Sequence, residues 1–445
     1  MAMHEPAGAV VEARSPLRPR PNIARNRDHS VDFPRSKSPL VQSTVDRTPL
    51  TGAVVLETDV NGLGAIRSLA GLRPSPRIVG VDFTSSIGFR SRLCECYKAP
   101  RPDLADGRAL RDFLLNLSGT FEGRPALFPS GDRTVRLICK YRRDFDRAYR
   151  LLLVDSEQVE LLINKAKFAD LARSVGARTP RTEIVTAAVG AAASSDLRFP
   201  IIAKPLNQPG EDPVRRAFKA KCFESASEWD NYFRDWHGAS EHRVLIQERI
   251  PGEDSDIYFY GGVWRDGEPV CGFTGRKIRQ HPKGLGSTVM ALCERHDEVR
   301  RLAEQFLKRI RFSGLCDVEF KRDSRDGQFY LIEVNPRQGQ WHRIGRLCGV
   351  DLVQAAFYSL ANLPHRWPEQ KEGPSGYWSY QFQDLGRLVD DWRRGSFRLG
   401  DWLRPYLLRP ADGVFSWRDP LPWVMEFVDC LRNRFTAASS ARIIP

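Results

Sequence analysis

Gly314-Leu315-Cys316-Asp317-Val318-Glu319-Phe320 and, after a short polar stretch, Phe329-Tyr330-Leu331-Ile332-Glu333-Val334-Asn335-Pro336-Arg337 decide the reading of this chain. Both segments read as strands, and Asp326-Gly327 between them supplies a turn. On a strand, residues two apart share a face, so Asp317 sides with Glu319, and Glu333 with Asn335. A hairpin brings Glu319 beside Glu333. Two carboxylates and an amide oxygen facing one space repel unless a cation joins them. Hard oxygen donors suit Mg²⁺ and not zinc. Arg337, just beyond, can grip a phosphate or carboxylate with its planar fork. The competing reading is a solvated hairpin with outward acids.

Upstream, Phe199-Pro200-Ile201-Ile202-Ala203-Lys204-Pro205 ends an apolar strand on a lysine, which is costly to bury without an anionic partner. Lys204 is therefore either half of a structural ion pair or a phosphate ligand. Val244 to Asp254 runs a strand through Gln247 and Glu248 into a tight turn at Pro251-Gly252. Gly275-Arg276-Lys277-Ile278-Arg279-Gln280 and Lys283-Gly284-Leu285-Gly286-Ser287 add basic groups, with a strand facing water as the alternative for Arg279. The whole stretch from Ile201 to Met290 reads as strand-rich, and a charged helix follows from Glu294 to Ile310.

Order begins at the buried-strand pattern Ala53-Val54-Val55-Leu56. Asn61-Gly62-Leu63-Gly64 opens a helix through Leu72, and Arg77–Asp82 gives a second strand, a βαβ unit with a parallel sheet. Gly62 and Gly64 without a third glycine argue for a tight turn rather than a dinucleotide site. Asp155-Ser156 starts a helix, apolar residues recur at helical spacing to Val175, and Gly176 stops it. The expected plan is mixed α/β and α+β. It comprises a disordered extension over 1–49, rich in Pro, Arg and Ser; a Rossmann-like domain over 50–155; a two-lobed domain over 156–363; and a helical extension over 364–445.

Among 445 residues, 41% are hydrophobic and 28% charged, which excludes collagen-like, coiled-coil and wholly disordered classes. No apolar run approaches the ~20 residues of a membrane span, and the N-terminus lacks the apolar centre of a signal peptide. Nine scattered cysteines without a CxxC pair read as reduced thiols in a cytoplasmic protein. The net charge is +13, yet residues 1–49 carry only 8 basic and 5 acidic side chains, and 364–445 only 12 and 10. The excess sits in the middle of the chain. That suits a cleft for phosphate- or carboxylate-bearing ligands, or a solvated basic surface, rather than a nucleic-acid-binding arm.

In their order and spacing these segments resemble the ATP-grasp superfamily, most closely its carboxylate–amine ligase branch with the D-aspartate ligase-like enzymes. The resemblance covers roughly 53–363 and is strongest from Asn164 to Gly345. It implies two lobes that grip ATP after a Rossmann-like domain that helps bind the acceptor. By the resemblance, Lys165 and Lys204 are the phosphate lysines. Gln247 and Glu248 bracket the adenine edge beside the Ile250 backbone, and Asp254 binds the ribose. Glu319, Glu333 and Asn335 hold Mg²⁺. Arg337 stabilises the developing acyl phosphate, and Lys277 or Arg276 meets the transferred phosphate. His281 and His342 line the cleft.

One segment departs from the family: 207–216 has one glycine and two prolines where small residues usually cover the phosphates, leaving Arg215 or Arg216 for that work. The implied activity is ATP-dependent joining of a carboxylate to an amine, with small-molecule substrates, no nucleic acid and an open oligomeric state. The alternatives are a carboxylase or carbamoyl-transfer enzyme, for which no Met-Lys-Met biotin context is present, and a non-catalytic ATP-binding protein.

Overall fold

The computed structural model describes residues 49–101, 106–206, 220–234, 242–408 and 410–440. The expectations for nearly all of 1–49, and for 207–216, fall outside these residues. The first sheet contains β1 (Gly52–Leu56), β2 (Arg77–Asp82), β3 (Glu95–Lys98) and β4 (Ala126–Pro129), ordered β3-β2-β1-β4 and parallel throughout. Helix α1 (Val60–Leu69) joins β1 to β2, α2 (Arg108–Ser118) joins β3 to β4, and α3 (Asp132–Lys140) and α4 (Arg142–Ala148) follow β4. β1 is buried along its whole length, as a central parallel strand must be, hence its unbroken apolar run. Asp59 caps α1 by accepting from Asn61 N (2.9 Å) and Gly62 N (3.4 Å). A Cβ on Gly62 would sit 2.1 Å from the Glu57 carbonyl oxygen, so this glycine answers a close backbone approach.

The expected single helix before Gly176 is two: α5 (Ser156–Ile163) and α6 (Lys165–Ser174). Asn164 is extended between them and caps α6 through the backbone N–H groups of Ala166 and Lys167. Apolar spacing runs on through the break, so periodicity alone hides it.

A small antiparallel sheet follows, built from β5 (Thr182–Thr186), β6 (Ile201–Pro205), β7 (Lys221–Phe223) and β8 (Arg243–Glu248), with α7 (Ala226–Phe233) between the last two. Ile201, Ala203, Val244 and Ile246 pack with Trp229 and Phe233 of α7. Alternation then commits Lys204 and Gln247 to the opposite face.

The largest sheet is ordered β13-β12-β9-β10-β11-β14-β15. Its strands are β9 (Ile257–Arg265), β10 (Glu268–His281), β11 (Ser287–Glu294), β12 (Gly314–Arg322), β13 (Phe329–Asn335), β14 (Pro374–Ser379) and β15 (Ala411–Asp412). α8 (Asp297–Arg309) and α9 (Leu352–Leu360) lie among them in sequence, followed by α10 (Gln381–Arg393), α11 (Leu399–Leu407) and α12 (Leu421–Ser440). Phe259 of β9 stacks on Trp341 at 3.8 Å between ring centroids, and both join the core that β1 and α1 share with α9. All nine cysteines are free thiols. No helix among the described residues is long and apolar enough to cross a membrane.

Residues 364–445 are not simply a helical extension. β14 adds to the large sheet against β11, with Met290 opposite Ser379 and Trp378 buried. Charged pairs reinforce the seam. Arg279 of β10 donates from Nε and Nη2 to the two oxygens of the fully buried Asp384 at 2.8 and 2.7 Å, and the Tyr406 hydroxyl donates to the same carboxylate. Arg67 of α1 meets Asp419 at 3.1 Å.

Removing one member of a buried, bidentate pair leaves the other uncompensated. Asp384→Ala is therefore expected to destabilise the chain by about 3–5 kcal/mol, and the paired change Arg279→Met/Asp384→Leu to recover most of that loss. Urea unfolding of both variants checks this; an Asp384→Ala midpoint equal to wild type contradicts it.

Candidate functional site

The hairpin forms in the expected register. β12 and β13 are antiparallel, with Glu319 opposite Glu333 and Asp317 opposite Asn335. Alternation on both strands gives all four side chains one face. Like charges directly opposite destabilise a sheet, and cations from neighbouring elements answer them. Lys277 of β10 donates to Glu319 Oε2 at 2.7 Å in a pair almost closed to solvent. Lys204 of the small sheet points its Nζ to Gln247 Oε1 at 3.5 Å, and Gln247 Nε2 donates to Thr182 Oγ1 at 2.9 Å. Burial pushes the Lys204 ammonium below its ordinary value, against the pull of Glu333 and Glu319.

Arg337 brings the first sheet into this cluster. Its Nε donates to Asp132 Oδ1, at the start of α3, at 2.5 Å, and its Nη2 to Asn335 Oδ1 at 3.3 Å. Burial works against its charge, but Asp132, Asp317 and Glu333 outweigh it and hold the guanidinium above its ordinary value. Asp317 is buried, and its Oδ1 has no hydrogen-bond partner among the described residues. Burial lifts its carboxyl to about 7; Arg337 opposes that shift, and Glu319 and Glu333 add to it.

His342 Nε2 lies 3.9 Å from Asp317 Oδ2, while its Nδ1 accepts from Gly339 N–H at 3.1 Å. A Cβ on Gly339 would come within 2.5 Å of Asp317 Oδ2 and 2.9 Å of His342 Nε2, so only glycine allows this packing.

Several candidates stand elsewhere. Arg276 and Lys277 are adjacent on β10 and face opposite ways; only Lys277 reaches the acids, and Arg276 pairs with Glu294 at 2.7 Å. Glu248 likewise turns from Gln247: its Oε1 accepts from Arg198 N at 3.0 Å and lies 3.8 Å from Arg181. It cannot bracket a ring jointly with Gln247 through its side chain. Asp254 does not offer its carboxylate to a ribose. Oδ1 accepts from Gly284 N, and Oδ2 from Gln280 N and from Arg387 Nη1 at 2.7 Å, so the acid fixes the turn after β10 to α10. Lys165 is exposed at the first position of α6, and Ile250 is buried just past β8.

Asp132, Thr182 and Arg387 carry no sequence signal for their tasks, since their partners lie 65 to 205 residues away. Asp317 was within reach of the alternation argument.

Among the described residues, no three or more His, Cys, Asp or Glu side chains are arranged to hold a metal ion. The set on this face is the Asp317, Glu319 and Glu333 carboxylates and the Asn335 amide oxygen, with Asp317 Oδ1 unpartnered among the described residues. Such hard donors fit Mg²⁺ only if other oxygens complete its shell.

Comparisons with known proteins bear on the fold and the family resemblance. Residues 289–362 match the family described as carbamoyl-phosphate synthase L chain, ATP binding domain. The chain is similar to the D-aspartate ligase of Enterococcus faecium, 25% identical over 238 residues, which cover 51% of this chain and 56% of that one. It thus spans about half the length of that relative. Its fold is shared with N5-carboxyaminoimidazole synthetase from Staphylococcus aureus (TM-score 0.56, 13% identity, 77% of this chain and 86% of that one). The L-amino acid ligase from Bacillus licheniformis also shares it (TM-score 0.55, 14% identity, 74% and 79%). The chain has a mixed α/β fold of the ATP-grasp kind. The similarities thus support the resemblance to ATP-grasp carboxylate–amine ligases.

Burial, with Arg337 adding to it, pushes the His342 imidazole down to about 3. The unfolded chain, near the ordinary 6.5, binds this proton more readily, so the contribution is complete above pH 6.5 and is lost as pH falls toward 3. The slope is at most about 1.4 kcal/mol per pH unit. His342→Gln should lose less stability than wild type between pH 7 and 4 in urea titrations. Parallel profiles would contradict the buried neutral ring.

Proposed function

We propose that this chain is an ATP-dependent ligase that activates a carboxylate as an acyl phosphate and joins it to an amine, releasing ADP and phosphate. The observation that carries the reading is the single face on which Glu319, Glu333 and Asn335 converge with Lys277 and Lys204. Phosphoryl transfer asks a protein mainly for positioning and charge neutralisation, and this face supplies both. Lys204 and Lys277 hold phosphate oxygens, with Lys165 at the mouth. Gln247, braced by Thr182, reads the adenine edge beside the Ile250 backbone. Glu319, Glu333 and Asn335 would hold Mg²⁺, which would supply positive charge beside the phosphates.

Arg337, steered by Asp132, stabilises the acyl phosphate as it forms and then the oxyanion left on its acyl oxygen when the amine adds to the acyl carbon, before phosphate departs. The reading makes residues 50–155 the acceptor-binding domain, 156–363 the two-lobed ATP-grasp domain and 364–445 an addition clamped to it. It places the reaction in the cytoplasm. The printed names of the relatives, a D-aspartate ligase and an L-amino acid ligase, point to amino-acid-type substrates.

A screen of amino acids and small acids, read by ADP release and product mass, tests the reading: full turnover should need both an acid and an amine. Lys204→Ala should weaken ATP binding about tenfold or more in calorimetry, the loss of one charge-assisted contact. Glu333→Gln should keep the fold and lower turnover by orders of magnitude at every Mg²⁺ concentration. A Glu333→Gln enzyme as active as wild type would remove the metal assignment.

A further inference from the structure

Where the 3₁₀ turn His342–Cys348 meets β14, β15 and the residues after them, a cavity of about 270 Å³ lies between Arg343, Arg346, Leu347, Trp378, Asp412 and Phe415. Its charges are not balanced. Arg343 makes no hydrogen bond or ion pair among the described residues, and its Nε is buried without a partner. Arg346 is exposed and, among the described residues, meets one acid, Asp351, at a loose 3.6 Å. Arg67 lies near enough to repel Arg343, and its own Nη1 is buried without a partner although Asp419 neutralises the side chain.

Asp412 is the carboxylate on the wall, but its oxygens already accept from Val414 N (2.7 Å), Phe415 N and Ser379 Oγ (3.5 Å). The consequence is visible on Arg343 itself. Burial and the two neighbouring arginines bring its guanidinium down to about 10, against weaker support from Asp351 and Asp412.

An arginine left unpaired beside an open, partly aromatic cavity is arranged for planar, bidentate recognition of an oxyanion. We propose that this cavity binds a small carboxylate- or phosphate-bearing ligand, held by Arg343 and Arg346 against Trp378 and Phe415. The size suits a metabolite of a few carbons, below the usual range for a nucleotide. The proposal is independent of the ligase reading, because none of its lining residues belongs to the face that carries Glu319 and Glu333.

Calorimetric titration of the full chain with sodium phosphate and with sodium malonate, at ionic strength matched by sodium chloride, tests it. Saturable binding of either anion is expected, phosphate alone or malonate alone naming the class. Arg343→Gln and Arg346→Gln should each weaken it about tenfold or more, and in Lys204→Ala the arginine-dependent binding should persist. Should Arg343→Gln fail to fold, the exposed Arg346 decides the matter. Binding of neither anion, binding indifferent to Arg346→Gln, or binding lost in Lys204→Ala and kept in the arginine variants would each overturn the proposal.

Discussion

Glu319 and Glu333 are directly opposed on neighbouring strands, an arrangement that destabilises a sheet unless positive charge is brought to it. Much of the molecule is organised around that requirement. Lys277 comes from a strand two places away in the same sheet, Lys204 from a different sheet, and Arg337 from the loop after β13, where Asp132 at the start of α3 aims it. Each cation is itself buried or half-buried, so acids and bases sustain one another's charge. The face is therefore compact and electrostatically tense, and on the proposed reading it meets a ligand that carries both phosphate and a divalent cation.

The seams around this face use the same chemistry in a closed form. Arg279–Asp384, Arg387–Asp254 and Arg67–Asp419 are buried pairs with little left to offer a ligand. They bind the C-terminal region to β10, to the turn at Asp254 and to α1. Asp254 illustrates the difference between clamp and site: an acid whose oxygens accept from two backbone amides and an arginine organises a turn and does not receive a sugar. Arg343 is the opposite case, a guanidinium with no acid to close it.

The hairpin was readable in the sequence because period-two alternation and a short turn fix which residues share a face. The lysine at the end of β6 was readable because burying such a charge demands a reason. What local pattern cannot supply is which face of an isolated strand meets the acids. Arg276 and Lys277 looked equivalent until neighbouring strands were in place, and so did Gln247 and Glu248. Long-range partners are equally silent: Asp132 stands 205 residues from Arg337, and Arg387 stands 133 from Asp254. The C-terminal region hid its strand because β14 has only six residues and contains Pro374 and Gly376. Asn164 broke a helix that apolar spacing carried straight through.

The most direct measurement of the central claim is a crystal structure of the full chain with Mn²⁺ and a non-hydrolysable ATP analogue, the metal located by its anomalous signal. The account predicts a peak bounded by Glu319, Glu333 and Asn335, with phosphate oxygens completing its shell and Lys204 on the phosphates. A bound analogue whose metal lies away from all three side chains would contradict it.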